Sequence, residues 1–347
     1  MRDDGVAAAL VSAVLFGLGT PVAKLLLPGT GPLALAALLY LGAGIGLAAV
    51  RLARRAGGTE AREAPLRRGD LPLVAAIVVA GGVVAPVLLL RGLEQLPAAE
   101  ASLLLNLETP FTVLLAMVVF GEHVGARGVL ATALIVLGGA ALSGGSTSDV
   151  GARWLGSALV AAACAGWAID NNLTQRLSLR DPIAIALVKT LAAGTINLPL
   201  ALATGSALPA APRILGALAL GSVSYGLSLA LAIRAMRVLG AARQAALFAV
   251  APFVGALAAV PLLGDRPPLL AVALMAAGVG LLVRERHEHA HVHEAFEHDH
   301  LHVHDVHHEH AHPDGVDPRE PHAHPHRHER VAHAHPHVSD AHHRHRH

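Results

Sequence analysis

The sequence has little charge, few aromatic residues and almost no cysteine. Charged residues make up 15% of its 347 residues, whereas a soluble domain carries about a quarter. The single cysteine, Cys164, lies in an apolar run, which excludes a disulfide framework and a Cys-x-x-Cys redox or metal site. The formal net charge is only +1, so the composition indicates no nucleic-acid partner. These absences exclude most classes of soluble protein.

Apolar residues take the place of charge. They make up 54% of the chain, and mean hydropathy is +0.53 despite a polar C-terminal tail. A membrane-spanning helix needs about 20 apolar residues. Segments of this kind are predicted at 5–27, 31–52, 70–90, 97–119, 125–144, 153–177, 182–204, 212–234, 240–263 and 268–284. The sequence therefore predicts an all-α integral membrane protein of about ten transmembrane helices, with the lipid bilayer as its surroundings.

The basic residues of the connecting segments are unevenly distributed. If the N-terminus is cytoplasmic, the cytoplasmic segments up to residue 286 hold fifteen Lys and Arg residues. The outer segments then hold five: Lys24, Arg91, Arg153, Arg213 and Arg266. Lys and Arg accumulate in cytoplasmic loops. We therefore expect a multi-pass protein of the cytoplasmic (inner) membrane, with both termini in the cytoplasm.

The chain resembles itself at an offset of about 142 residues. The stretches 96–122 and 239–265 both contain a central Pro-Phe, and both close on Gly followed by an acid. This pattern predicts a first five-helix repeat over residues 1–147 and a second over 148–286. Because five is an odd number, the second repeat would be inverted in the membrane, as in many secondary transporters. The alternative is a chance likeness between two Ala- and Leu-rich helices.

Three features resemble the EamA branch of the drug/metabolite transporter superfamily. They are Phe16-Gly17 followed by Lys24, the segment 107–111 (LETPF) ending in Phe120-Gly121-Glu122, and the partial echo of that segment in the second half. Phe16 stands where the family usually has Trp, and Asp265 stands where it has Glu. The resemblance implies a ten-helix fold with a central cavity, alternating access, and export or exchange of small metabolites.

Five ionisable side chains lie within the predicted spans: Lys24, Glu100, Glu108, Asp170 and Lys189. Ionisable groups at membrane depth are costly and usually face a cavity or a partner. The chain has only two lysines, and both are in this set, whereas its other 24 basic residues are Arg. A compact ammonium group at both positions would suit binding or gating.

Asp170 and Lys189 lie on either side of the turn expected near residues 179–180. Each is about nine residues from it, which at about 1.5 Å per residue puts both at one depth in adjacent antiparallel helices. The spacing therefore predicts an ion pair. The pair would either join the two helices or act as a gate that substrate binding opens.

Glu108 lies near mid-bilayer depth, two residues before Pro110, which has no N–H and frees the carbonyl of Asn106. Interrupted helices of this kind form transporter sites, although proline can also kink a span for packing alone. Glu100 is expected at the outer rim, and Glu122 and Asp265 are expected to be structural. The predicted substrate cavity comprises Lys24, Asn106, Glu108, Asp170, Asn171, Lys189 and Tyr225.

Residues 287–347 hold 23 of the 24 histidines, arranged as His-x-His repeats mixed with acids. Five prolines and low apolar content predict a disordered cytoplasmic tail. Neutral imidazoles bind zinc, nickel, copper and cobalt, so the tail is expected to bind such ions. We expect the membrane core to require no cofactor. The candidate metal ligands are His287, His289, His291, His293, His298, His300, His302, His304, His307 and His308.

The sequence therefore predicts a secondary transporter, an exporter or exchanger of a small polar metabolite, acting as a monomer or homodimer. It contains neither a Walker-type phosphate loop nor a recognisable hydrolase motif, so no enzyme is predicted. One alternative is a divalent-metal efflux or homeostasis carrier that uses the tail. A second is a membrane metal sensor that transports nothing, and the tail could also serve only for metal storage.

Overall fold

The computed structural model describes residues 2–57, 64–120, 125–143, 150–177, 180–239 and 241–283, together with four short segments of the tail. Fifteen α-helices lie in the first six ranges. They are α1 Arg2–Gly17, α2 Gly19–Leu26, α3 Pro32–Ala56, α4 Leu71–Ile77, α5 Ala85–Gln95, α6 Ala98–Leu104, α7 Glu108–Phe120, α8 Ala126–Ser143, α9 Val150–Gln175, α10 Pro182–Ala203, α11 Ala211–Leu220, α12 Ser228–Leu239, α13 Ala241–Phe248, α14 Ala251–Leu263 and α15 Leu269–Val283.

Each of the ten predicted segments contains helix. By length and composition, seven helical stretches of the described chain can cross a membrane: Asp4–Leu26, Pro32–Ala56, Arg68–Gln95, Gly151–Gln175, Pro182–Ala203, Ala211–Met236 and Arg243–Leu263. Apolar helices at Ala126–Leu142 and Leu269–Leu282 are shorter. The remaining predicted segment, 97–119, is divided between α6 and α7. The structure thus gives seven candidate spans where the sequence predicts about ten.

Large apolar side chains cover much of the outside of the helical bundle. Leu257 of α14 is 73% exposed and Leu269 of α15 is 84% exposed. Contiguous exposed apolar surface is unusual on a soluble monomer and marks an interface. Together with the long apolar helices, this exposed apolar surface indicates that the outside of the bundle faces lipid.

Helices of equal rank in the two halves pack against each other. Helix α3 lies along α10, and α8 lies along α15. A further contact is also matched, because α5 packs on α9 as α12 packs on α1. This exchange of equivalent contacts is the pattern that a two-fold relation between the halves produces.

Two π-helical segments occupy corresponding places in the two halves. Val78–Val84 connects α4 to α5, and Gly221–Leu227 connects α11 to α12. Glycine brings the second segment against α3, because a Cβ at Gly221 would lie 2.0 Å from the carbonyl oxygen of Leu39. Small residues allow this close backbone approach between membrane helices.

Both halves also interrupt a helix just before the Pro-Phe pair. A 3₁₀ turn, Leu105–Leu107, separates α6 from α7, and residues 249–250 separate α13 from α14. Pro110 and Pro252 remove the N–H groups that would have continued the regular ladder. The loosened turn predicted at Asn106 is therefore present in the structure.

Helix ends that the distribution of basic residues assigns to the same side of the membrane lie together in the structure. At one end Arg51 forms an ion pair with Asp181 at 3.5 Å, and Arg180 forms one with Asp70 at 3.2 Å. At the other end Asp265 accepts a 2.9 Å hydrogen bond from the backbone N–H of Ala99 at the start of α6. Segments assigned to one side of the membrane therefore lie together, while the side that faces the cytoplasm stays a prediction.

The tail contains four described strands, β1 His287–His293, β2 Phe296–His302, β3 His322–His328 and β4 Val331–His337. β1 pairs with β4 and β2 pairs with β3, both antiparallel. The disorder predicted for residues 287–347 stays a prediction outside these four segments. Their residues alternate His with other side chains, and this period of two is the pattern of a strand.

Candidate functional site

A buried ion pair lies between α9 and α10. The ammonium group of Lys189 donates to Oδ2 of Asp170, and the hydroxyl of Thr174 donates to Oδ1 at 3.1 Å. Asp170 is 1% exposed and Lys189 is 4% exposed. The pairing predicted from their equal depth is confirmed. Each charge satisfies the other in a place that water does not reach.

The first π-helical segment packs directly against this pair. A Cβ on Gly81 would lie 2.0 Å from Oδ2 of Asp170, so only glycine fits beside the carboxylate. The carbonyl of Gly81 accepts hydrogen bonds from the hydroxyl of Tyr40 at 2.7 Å and from Nε1 of Trp167 at 3.1 Å. A π turn departs from the regular α-helical hydrogen-bond pattern. Here side chains from α3 and α9 provide hydrogen-bond donors for the carbonyl of Gly81.

A second carboxylate, Glu108, lies beside the pair. Its Oε1 accepts a 2.5 Å hydrogen bond from the side-chain amide of Asn171, the residue after Asp170 on α9. Glu108 is half-buried and lies within electrostatic range of both Asp170 and Lys189. The structure thus brings together four of the seven predicted cavity residues. They are the charged and amide groups best suited to hold a polar solute.

An aromatic cluster adjoins these polar groups. The ring of Phe16 lies 6.1 Å from Trp167, 5.7 Å from Tyr225 and 5.3 Å from Phe248, and Tyr40 lies 5.7 Å from Tyr225. Half of the ten aromatic residues of the chain are in this cluster. Tyr225, predicted for the cavity from the sequence, therefore joins the site through aromatic contacts that connect the two halves.

Asn106 lies close to Glu108 along the chain but faces another helix. Its amide nitrogen contacts the carbonyl oxygen of Leu103 at 3.1 Å and the sulfur of Met275 in α15 at 4.0 Å. Its Oδ1 is buried and has no hydrogen-bond partner. Two residues along a helix correspond to about half a turn, which explains why Asn106 and Glu108 point to different neighbours.

Lys24 lies away from the cluster, near one end of the bundle. Its ammonium group donates to the carbonyl of Leu93 and, at 3.0 Å, to that of Leu96, at the C-terminus of α5. It also lines a cavity of about 280 Å³ with Leu27, Pro28, Gly29, Gly31 and Glu94. A cation at a helix C-terminus is electrostatically favoured, so this lysine caps α5 and borders a separate cavity.

Glu100 differs from the position expected for it. It is 6% exposed rather than at an open rim, and it accepts a 2.7 Å hydrogen bond from Arg153 at the start of α9. Arg153 also donates to the carbonyl of Leu142 at 2.9 Å. Sequence reasoning placed Glu100 by depth alone, and the arginine that buries it comes from the other half.

The structural role expected of Asp265 agrees with its cap on α6, whereas Glu122 lies outside the described residues.

The predicted metal ligands are only partly covered by the structure. His287, His289, His291, His293, His298, His300 and His302 lie on β1 and β2, whereas His304, His307 and His308 lie outside the described residues. In the part of the chain whose side chains are described, no group of three or more His, Cys, Asp or Glu residues could hold a metal ion.

The sequence family explains the duplicated architecture around this site. Residues 4–144 and residues 154–284 each match the EamA-like transporter family. The chain belongs to this family. It is a multi-pass membrane transporter, and the resemblance seen in its sequence is confirmed.

Two relatives are also described as transporters, and one solved structure shares the fold. An uncharacterized transporter from Methanothermobacter thermautotrophicus is 31% identical over 276 residues, covering 75% of this chain and 80% of its own. A probable terminal-alkyne amino-acid exporter from Streptantibioticus cattleyicolor is 33% identical over 253 residues, covering 69% of this chain and 81% of its own. A crystal structure aligns with a TM-score of 0.62 and 21% identity over 80% of this chain and 97% of the other, which shows a shared fold.

Sequence reasoning missed Gly81, Tyr40 and Trp167. The pair Gly81-Gly82 inside a valine-rich run was the available signal, since glycine is costly in a helix unless close packing needs it. The scarcity of aromatic residues was the other signal. Neither signal says which helices meet, and only the tertiary structure brings these residues to Asp170.

Proposed function

We propose that this EamA-family transporter is a secondary carrier that exports or exchanges a small polar metabolite across the cytoplasmic membrane by alternating access. The observation that carries the proposal is the cluster of Glu108, Asp170, Asn171 and Lys189 in the core of the bundle. A buried ion pair is an expensive way to join helices. A solute that carries both an anionic and a cationic group can replace the internal partner of each.

The amino-acid exporter among the relatives supports amino acids as the first substrate class to test. A carboxylate would engage Lys189, and an ammonium group would engage Asp170 or Glu108. The aromatic cluster beside them would contact an apolar side chain. This assignment requires no enzymatic step.

The proposed architecture has ten spans in two inverted five-helix repeats, with both termini in the cytoplasm. The two family matches, the paired π-helical segments and the matched helix contacts support the two repeats. Contacts between the halves at both ends support alternating access, since the two sets can form and break in turn. The chain would work as a monomer or homodimer.

The test is transport by the purified full chain in liposomes. We expect labelled amino acids to exchange against the same unlabelled amino acid inside the vesicles. The variants Lys189→Ala and Asp170→Ala should each abolish this exchange. A screen of other metabolites and of divalent metals, with and without a proton gradient, would identify the substrate. Flux of metal alone, or no flux of any solute, would contradict the metabolite assignment.

A second function, divalent-metal handling, is supported by the register of the tail strands. His287, His289 and His291 of β1 stand opposite His337, His335 and His333 of β4. In β2 and β3, His298, His300 and His302 stand opposite His326, His324 and His322. The register thus puts histidine positions opposite one another in both pairs of strands, and imidazole is a ligand suited to zinc, nickel or cobalt.

The tail would therefore serve a metal carrier, a metal sensor or a metal store. Calorimetric titration of the full chain and of a chain ending at residue 286 with zinc, nickel and cobalt tests the binding. We expect the longer chain alone to bind several ions. Equal metal tolerance of cells that carry the two chains would exclude efflux and sensing, while leaving a purely local store.

A further inference from the structure

We propose that Glu108 is the proton-coupling group of this carrier, exchanging one proton per transport cycle against the substrate. The proposal rests on the proposed function, because a coupling group requires a carrier. It names the driving ion and the residue that binds it, neither of which the family resemblance supplies.

The first step is the charge balance of the core cluster. Lys189 forms its ion pair with Asp170, and among the described residues no Lys or Arg forms an ion pair with Glu108. With both acids ionised, the cluster would carry one uncompensated negative charge. Burial of an unpaired carboxylate is unfavourable, and Glu108 receives one hydrogen bond, from the amide of Asn171. A cation must therefore accompany this carboxylate whenever the site is closed to water.

The second step concerns every element packed against Glu108. Helix α9 provides Asp170 and Cys164, and α10 provides Lys189. Helix α8 has one titratable residue, the exposed Arg127 at its start, and α6 has Glu100, whose charge is already paired with Arg153. In the described part of the chain, no cation from these elements forms an ion pair with Glu108, which favours a partner taken from solvent.

The third step distinguishes a proton from a metal cation. A sodium ion would need several oxygen ligands, whereas the group that Asn171 presents to Glu108 is an N–H donor. A proton needs only the carboxylate itself. The N–H donor therefore argues against a sodium site here and leaves the proton as the accompanying cation, which a substrate ammonium group can later displace.

The fourth step concerns how Glu108 would become exposed and how many such acids each chain carries. Glu108 is the first residue of α7 after the 3₁₀ turn, so repacking of this break moves its side chain between environments. The corresponding position in the second half, 142 residues further on, is Val250. One half therefore carries the acid, which gives one proton per chain.

The test uses liposomes that contain the full chain and a labelled amino acid outside, with the membrane potential clamped at zero. For the wild type, an acidic lumen should drive uptake above equilibrium, by about tenfold per unit of pH difference when one proton moves per zwitterion. Glu108→Gln should lose the pH-driven accumulation, and whatever exchange it keeps without a gradient should no longer depend on pH. Asp4→Asn, which removes an exposed acid at the start of α1, is the matched control and should accumulate like the wild type.

Infrared titration supplies a readout that needs no substrate. The difference between wild type and Glu108→Gln should contain one protonated-carboxyl band that disappears at alkaline pH. Absence of any exchange by the wild type would contradict the proposed function, whatever the spectra show. Normal exchange combined with pH-driven uptake by Glu108→Gln, sodium-driven uptake, or spectra without the difference band would each overturn the proton-coupling role.

Discussion

Asp170 and Lys189 are placed where neither charge could remain alone. Removing one partner of a buried pair leaves an unpaired charge, at a cost of about 3–5 kcal/mol, whereas removing both often costs little. We therefore expect Asp170→Ala and Lys189→Ala each to lower the folding yield and the melting temperature in detergent more than the double variant does. If the double variant is no more stable than the single variants, the pair does not stabilise the core as the structure indicates.

Gly81 is a second position where one atom decides the fit. A methyl group there would lie 2.0 Å from the Asp170 carboxylate and would push it away from Lys189. Overpacking of this kind costs about 1–3 kcal/mol, so Gly81→Ala should lower the melting temperature and reduce exchange.

Gly280→Ala is the matched control for this change. A Cβ at Gly280 in α15 meets no atom within 4 Å, and Ala is favoured over Gly in a helix by about 1 kcal/mol. We expect this variant to be at least as stable as the wild type. Equal behaviour of the two glycine variants would mean that the contact between Gly81 and Asp170 is not a constraint on the fold.

At the scale of helices, the two interruptions before Pro110 and Pro252 are the features expected to move. Alanine at either position restores a backbone N–H and removes the clash of the proline ring with the preceding turn. We expect Pro110→Ala and Pro252→Ala each to raise the melting temperature and to slow exchange several-fold. The measurement is exchange in liposomes beside thermal unfolding of the same preparations.

Pro199→Ala provides the comparison, because Pro199 lies on the exposed side of α10 at a distance from the cluster. It should change stability in the same direction and leave exchange near the wild-type rate. Slowed exchange in all three variants would assign the effect to helix stiffness in general, and unchanged exchange in all three would remove the hinge role of the Pro-Phe breaks.

Helix positions and the depth of a side chain follow from the sequence, whereas its direction does not. Hydropathy located the helices, and equal distance from a turn was enough to pair Asp170 with Lys189. Depth could not show that Asn106 faces α15, that Lys24 caps α5, or that Arg153 buries Glu100, since these depend on helix rotation and on contacts between halves. The π-helical segments were also missed, because a local valine-rich run has no periodicity that separates α from π.

At the scale of the whole molecule, contacts between the two halves occur at both ends of the bundle. Arg51–Asp181 and Arg180–Asp70 join them at one end, and Arg153–Glu100 joins them at the other. A carrier that alternates between two open forms must weaken one set while it keeps the other. In the proposed alternating-access cycle, the strengths of these ion pairs between the halves would set the balance of the two forms.

The orientation of this bundle can be tested because cysteine is so scarce. Cys164 is fully buried, so the wild type should stay unlabelled by a membrane-impermeant maleimide. Ala56 ends α3 on the predicted cytoplasmic side, and Ala207 follows α10 on the predicted outer side; both are exposed. We expect Ala207→Cys to be labelled in intact cells and Ala56→Cys only after the membrane is permeabilised, since the arginine-rich segments belong inside. The opposite result would put the histidine tail outside, where it could not receive cytoplasmic metal, and would remove the metal-efflux alternative together with the predicted orientation.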